Sequence, residues 1–213
     1  MKRTLLFVIC SFFALTMTAK TVTPAASLPA YYEAIDGKSG KSLFDAVQKV
    51  TKTGYSSLGY DGLWAAYKYT DLYDNGYVWD MYSDCTWKSI NSNHCGNYSD
   101  ECDCYNREHS IPKSWYGGTT SGPGCDIFHL VPTDGKVNGI RSNYPFGEVG
   151  SADYNKHGNK RGSAKSITIT GGNTIAGNTG TTVSASGTVF EPRDEYKGDF
   201  ARGYMGALLK WAG

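Results

Sequence analysis

Tyr105-Asn-Arg-Glu-His-Ser-Ile-Pro112, with Asp126-Ile-Phe-His-Leu-Val-Pro132 and Lys136-Val-Asn-Gly-Ile-Arg-Ser-Asn143 downstream, holds the densest polar chemistry in the chain. Aromatic and β-branched residues near the ends of residues 105–111, stopped by Pro112, predict a short strand running into a loop. In a regular strand Glu108 and His109 face opposite sides, so both can serve one site only where the strand twists or ends. Further on, Thr133 follows Pro132 and precedes Asp134, a pattern that predicts a helix capped by Thr133. On that helix Asp134, Asn138, Arg141 and Ser142 fall at offsets of three and four, hence on one face, while Val137 and Ile140 turn toward a core.

The side chains in this constellation are complementary. Glu108 offers a hard oxygen ligand, His109 a base that titrates near neutrality, Asn138 a neutral oxygen and Arg141 a fixed positive charge. Together they suit metal-dependent attack on a phosphodiester. A lone Glu-His dipeptide is more often a solvated strand end, and a lone Asn/Arg face an ordinary polar helix surface; their proximity in sequence weighs against both. Arg141 is the candidate for a phosphate or transition-state contact, because its fork fits two phosphate oxygens, with Lys113 and Arg107 as rivals. His129 sits among apolar residues and reads as a structural histidine.

Beyond Arg107-Glu-His-Ser-Ile-Pro-Lys-Ser-Trp115, the segments Asp126-Ile-Phe-His-Leu-Val-Pro-Thr-Asp134, Val137-Asn-Gly-Ile-Arg-Ser-Asn-Tyr144 and Phe190-Glu-Pro-Arg-Asp-Glu-Tyr-Lys-Gly-Asp199 resemble the secreted and periplasmic bacterial endonuclease I family. Gly37-Lys-Ser-Gly40 and Val78-Trp-Asp-Met-Tyr82 extend the likeness over nearly all of the chain after its leader. The resemblance implies an α+β fold built on the ββα-metal, or His-Me finger, core with added helices and β-hairpins. It implies His109 as general base and Glu108 and Asn138 as protein ligands of Mg²⁺, with Mn²⁺ or Ca²⁺ able to substitute in binding. Arg107, Lys113, Ser142 and Asn143 are expected to contact the substrate, a nucleic acid and in this family DNA without strong sequence preference. The family pattern continues past the last helix with a tryptophan–histidine segment, whereas this sequence stops at Gly213.

Composition frames these expectations. Lys2 and Arg3 precede an apolar run from Leu5 to Leu15 with Ala19 as a cleavage residue, so residues 1–19 read as a signal peptide. Residues 20–213 read as one endonuclease I-like domain, short at its C-terminus, and the mature chain is expected to be a monomer in the periplasm or outside the cell, with no membrane partner. Five cysteines remain after the leader: Cys85, Cys95, Cys102, Cys104 and Cys125. An oxidising compartment allows at most two bridges among them. A zinc site from His94, Cys95, Cys102 and Cys104 is the metal alternative, but its spacing fits no common zinc pattern. Net charge is only +1, yet Arg107, Lys113, Lys136, Arg141, Lys156, Lys160, Arg161 and Lys165 make the centre basic, a strip that would attract phosphates.

Helices are expected over residues 39–51, with Ser39 as cap, and over 60–69 and 195–211. Residues 76–82 read as a strand, 151–161 as a polar loop and 166–189 as glycine-punctuated hairpins, with a low-complexity linker the rival for 171–182. Two other functions compete: a cysteine peptidase pairing Cys125 with His109 or His129, and a non-catalytic surface-binding module.

Overall fold

The computed structural model describes residues 28–87, 93–168, 182–183 and 186–211. The leader and residues 171–181 of the linker candidate lie outside them.

The chain is mixed α+β. Helices α1 (Leu28–Glu33), α2 (Gly40–Lys52) and α3 (Gly59–Thr70) precede strand β1 (Tyr105–His109), and β2 (Leu130–Asp134) leads directly into α4 (Gly135–Arg141). There follow β3 (Val149–Lys156), β4 (Asn159–Ala164), β5 (Ile167–Thr168), β6 (Thr182–Val183), β7 (Thr188–Glu191) and α5 (Lys197–Trp211). β1 and β2 form an antiparallel ribbon in which Glu108 lies opposite Val131 and His109 opposite Leu130. β4 runs between β3 and β7 in an antiparallel sheet, and β5 pairs with β6. Pro132 is accommodated in β2 because a two-stranded ribbon leaves one edge of each strand without ladder bonds.

The ribbon is buried on both faces because consecutive residues of a strand point oppositely. Leu130 joins Leu63, Tyr67, Val78, Trp87 and Tyr105 on one side. Val131 joins Met81, Tyr82, Val137, Phe190 and Phe200 on the other. Each fully buried large apolar side chain contributes about 1.5–3 kcal/mol, so two such clusters clamp the ribbon firmly.

Helix α4 begins one residue later than expected. The chain stays extended through Asp134, which leaves Thr133 buried in β2, and it is the Asp134 carboxylate that accepts the Val137 N–H at 2.8 Å. The same carboxylate accepts the Cys102 N–H at 2.6 Å, so the cysteine loop is fastened to the helix start. Gly135 and Gly139 admit Tyr98 against α4: a Cβ at either position would come within 2.7 Å and 2.3 Å of it, respectively.

The cysteines form Cys85–Cys102 and Cys95–Cys104, leaving Cys125 free and buried. That pairing excludes the zinc alternative, since three of its four ligands are bonded to other sulfurs.

The helices expected over residues 39–51, 60–69 and 195–211 form within two residues of those bounds, although Ser39 makes no side-chain cap. In α5, Phe200, Ala207 and Lys210 are buried while Leu208 is exposed. Its end is held by Asp126, 2 % exposed, which accepts Trp211 Nε1 at 2.7 Å and pairs with Lys210 Nζ at 3.1 Å.

Two expectations are corrected. Residues 76–82 are not a strand: Val78 and Trp79 each find a lone backbone partner, Trp87 and Asp71, and the segment is buried through its side chains. Residues 151–161 are not a loop but most of the β3–β4 hairpin, which turns at His157-Gly158, both with positive φ. β3 is largely exposed, so it shows no apolar alternation to mark it as a strand.

Candidate active site

β1 ends at His109, and that end resolves the geometric difficulty posed by adjacent residues. Arg107, Glu108, His109, Lys113, Asn138, Arg141, Ser142 and Asn143 line a single cavity of about 290 Å³ together with Pro112 and Ser114. Every site residue expected from sequence therefore borders one space, although the settings differ.

Glu108 is 2 % exposed, and its Oε1 accepts two bonds, from Tyr82 Oη at 2.8 Å and Arg141 Nη1 at 2.7 Å. Burial pushes its pKa up, opposed by the Arg141 charge and the Tyr82 hydroxyl. Both donors fall on one oxygen, which leaves Oε2 as the oxygen not committed to them. Arg141 is 1 % exposed and also donates to the carbonyls of His109, at 2.7 Å, and Ser110. Tyr204 on α5 donates to the same Ser110 carbonyl at 2.6 Å. The two Nη groups are thus engaged by Glu108 and by the backbone where β1 ends, while the buried Nε has no partner among the described residues, a different setting from a cation extended to a phosphate.

His109 is packed beside Tyr60, with ring centroids 5.7 Å apart and planes 22° from parallel. Its Nε2 lies 3.2 Å from the Gly124 carbonyl, which can only accept, so Nε2 carries the proton and Nδ1 the lone pair. Burial lowers its pKa to about 4, and the imidazole is neutral at neutral pH. Gly124 must be glycine here: a Cβ would stand 2.0 Å from the Thr119 carbonyl oxygen. His129 makes the matching bond to the Pro123 carbonyl at 2.6 Å and is 1 % exposed, the setting of a structural histidine.

Asn138 donates its side-chain N–H to Asn106 Oδ1 at 2.6 Å. That bond fixes the amide's orientation and leaves Oδ1 as its uncommitted atom. Ser142, just past α4, has φ 54° and returns its N–H to the Asn138 carbonyl, turning the chain so that Asn143 borders the cavity.

The basic strip is largely neutralised by acidic partners. Lys156 pairs with Glu101, Lys160 with Glu191, Arg161 with Asp153 and Arg107 with Asp61. Of the strip's residues, Lys113, Lys136 and Lys165 make no ion pair to a described residue, and of these Lys113 borders the cavity. Cys125 meets Ser57 Oγ at 3.0 Å and the Gly122 carbonyl, while His109 and His129 bond elsewhere, so no cysteine–histidine couple forms.

Tyr82, Asn106 and Gly124 support the site and were not marked as such by sequence. Tyr82 lies 26 residues from Glu108 and Gly124 15 from His109, so no local spacing links them.

The model of the family described as endonuclease I matches residues 39–208. The extracellular ribonuclease of Bacillus amyloliquefaciens is 32 % identical over 200 residues, 92 % of this chain and 58 % of that protein. That of Bacillus subtilis (strain 168) is 31 % identical over 205 residues, 94 % of this chain and 60 % of that protein. This chain therefore spans about three-fifths of the length of these relatives. No solved structure matches it. With a family model covering most of the sequence and relatives aligned along nearly all of it, the chain belongs to the endonuclease I family.

Proposed function

We propose that this protein is an exported, Mg²⁺-dependent endonuclease with a His-Me finger core, hydrolysing phosphodiester bonds in RNA as well as DNA. The observation that carries this is the meeting of Glu108, His109 and Asn138 on one cavity, with Glu108 Oε2 outside the Tyr82 and Arg141 bonds and His109 Nδ1 and Asn138 Oδ1 outside the side-chain bonds described above. The names of the two relatives add RNA to the DNA expected from the family resemblance.

The donor set fits magnesium. One carboxylate oxygen and one amide oxygen are hard ligands, and Mg²⁺ keeps several waters, so a cavity with few protein ligands is what it needs. When bound, the ion would stabilise charge on the phosphate and on the leaving 3′-oxygen. Glu108 and Asn138 would hold it, while Arg141 and Tyr82 hold Glu108. His109 Nδ1 accepts a proton from a water molecule as that water's oxygen bonds to phosphorus and the bond to the 3′-oxygen breaks. The Gly124 carbonyl keeps the tautomer that makes this possible. Lys113 is the bordering cation free to meet a phosphate oxygen. Export completes the reading, supported by the two bridges and by relatives named extracellular, and a monomeric state is proposed with it.

The test is cleavage of RNA, single-stranded DNA and duplex DNA with Mg²⁺, with excess EDTA, and by His109→Ala. EDTA is expected to abolish cleavage, and His109→Ala to lower it about 10²-fold or more while the fold persists. Unchanged cleavage in EDTA would remove the metal, and near-normal turnover of the variant would remove the base.

A further inference from the structure

A second cavity, of about 350 Å³, adjoins the first and shares Arg107 with it. Its lining is a run of flat π groups. The exposed His94 ring lies parallel to Trp64, with centroids 4.2 Å apart and planes 19° from parallel. The Arg107 guanidinium carbon stands 4.4 Å from the Trp64 ring centroid and 3.4 Å from that of Tyr60, whose ring in turn faces His109. Planar groups therefore lead from the surface to the base. Asn106, also in this lining, uses Oδ1 to orient Asn138, and its side-chain N–H groups make no hydrogen bond to a described residue.

Core packing accounts for Tyr60 and Trp64, which lie against the buried cluster of Leu63 and Tyr67. It accounts for the inner side of His94, which stacks on Trp64 and meets Tyr105 edge-on, but not for the ring's exposure, nor for the free side-chain N–H groups of Asn106 beside it.

We infer that this cavity is a nucleotide subsite that holds one unpaired nucleobase next to the phosphate under attack. The base stacks on the His94–Trp64 side, Asn106 bonds its edge, and Arg107 lies between that nucleotide and the catalytic cavity. The chemistry selects single strands: a paired base has both faces covered and its edge engaged, so a duplex must first be opened at a cost of a few kcal/mol. The inference rests on the nuclease reading of the neighbouring cavity, and it makes that enzyme prefer unpaired RNA or DNA.

The test is equilibrium binding in EDTA, read by tryptophan fluorescence and independent of cleavage. The probes are oligouridylate and oligothymidylate hexamers, oligothymidylates with an abasic residue at each position in turn, and a duplex. The protein is expected to bind hexamers in preference to duplex and to lose about tenfold in affinity at one abasic position. His94→Ala is expected to lose a similar factor and to become indifferent to that position, and His94→Phe to restore stacking. In steady state His94→Ala should raise KM on single strands with kcat kept. Wild-type affinity in His94→Ala, or equal sensitivity of variant and parent to the abasic residue, overturns the subsite even if cleavage is normal. Position-dependent binding in a protein that fails to cleave with Mg²⁺ supports the subsite and overturns the nuclease reading alone.

Discussion

Arg141 and Glu108 place opposite charges in nearly complete burial, and such a pair is more costly to break than it is stabilising to form. Arg141→Met leaves the Glu108 carboxylate without its charged partner and strips donors from two backbone carbonyls. It is expected to cost about 3–5 kcal/mol, measurable by urea denaturation. Arg141→Met combined with Glu108→Leu should recover much of that stability without recovering cleavage. A single variant that loses turnover but keeps full stability would return Arg141 to the role of phosphate contact. Asp71 illustrates the opposite linkage. Burial raises its pKa to about 6 from 3.8, against the pull of the Thr70 hydroxyl, which donates to it at 2.5 Å. The folded chain holds this proton more tightly than the unfolded one, so the stability it contributes is complete below pH 3.8 and is lost as pH rises through about 6. Asp71→Asn should therefore raise the melting temperature at pH 8 by the equivalent of about 3 kcal/mol, and by far less at pH 4. An equal shift at both pH values would mean that the carboxyl is not titrating in this window.

The ββα unit and the cysteine loop behave as one element, because the Cys102 N–H caps with Asp134 and the Gly135 N–H donates to the Cys104 carbonyl at 2.9 Å. Replacing Cys95 and Cys104 by serine is expected to remove about 2–3 kcal/mol and to lower cleavage in parallel, since α4 carries Asn138. Alkylation at Cys125 without reduction should be slow and, where it occurs, should reduce stability before it touches the chemistry, because the thiol is buried among Ser57 and Tyr55. Loss of cleavage ahead of any change in melting would contradict that order. The elements legible in the sequence were those whose signal is local. Strand β1, helix α4, the Glu108-His109 pair and the Asn138/Arg141 face are each marked by residue types at short spacing, while the joining of Glu108, His109 and Asn138 into one set came from the family resemblance. The Asp134 cap was missed by one residue, because Thr133 is also a good cap and only tertiary burial keeps it extended. The β3–β4 hairpin was illegible because exposed polar residues on a surface strand carry no alternation. Tyr82 and Gly124 could not be read at all, since their tie to the site is made only when the chain folds.

At the scale of the molecule, the basic residues of the central strip are mostly committed to acidic neighbours. If the three lysines of the central basic strip that make no ion pair among the described residues, Lys113, Lys136 and Lys165, carry the contacts to backbone phosphates, single-strand affinity should fall with log salt at a slope of about −2, and a slope near −5 would show that the paired cations of the strip also turn to the substrate. The two bridges reach further than stability. Cys85–Cys102 and Cys95–Cys104 close the loop that supplies His94 and the backbone bonds at the head of α4. Thiols held reduced by glutathione do not form such bonds, so a chain inside a reducing cytosol lacks the covalent ties that hold one wall of the adjoining cavity and brace the head of α4. On the proposed reading of an exported nuclease, oxidation would act as a safety catch: the bracing of the site would be completed only after the chain had left the compartment that holds its producer's own transcripts and genome.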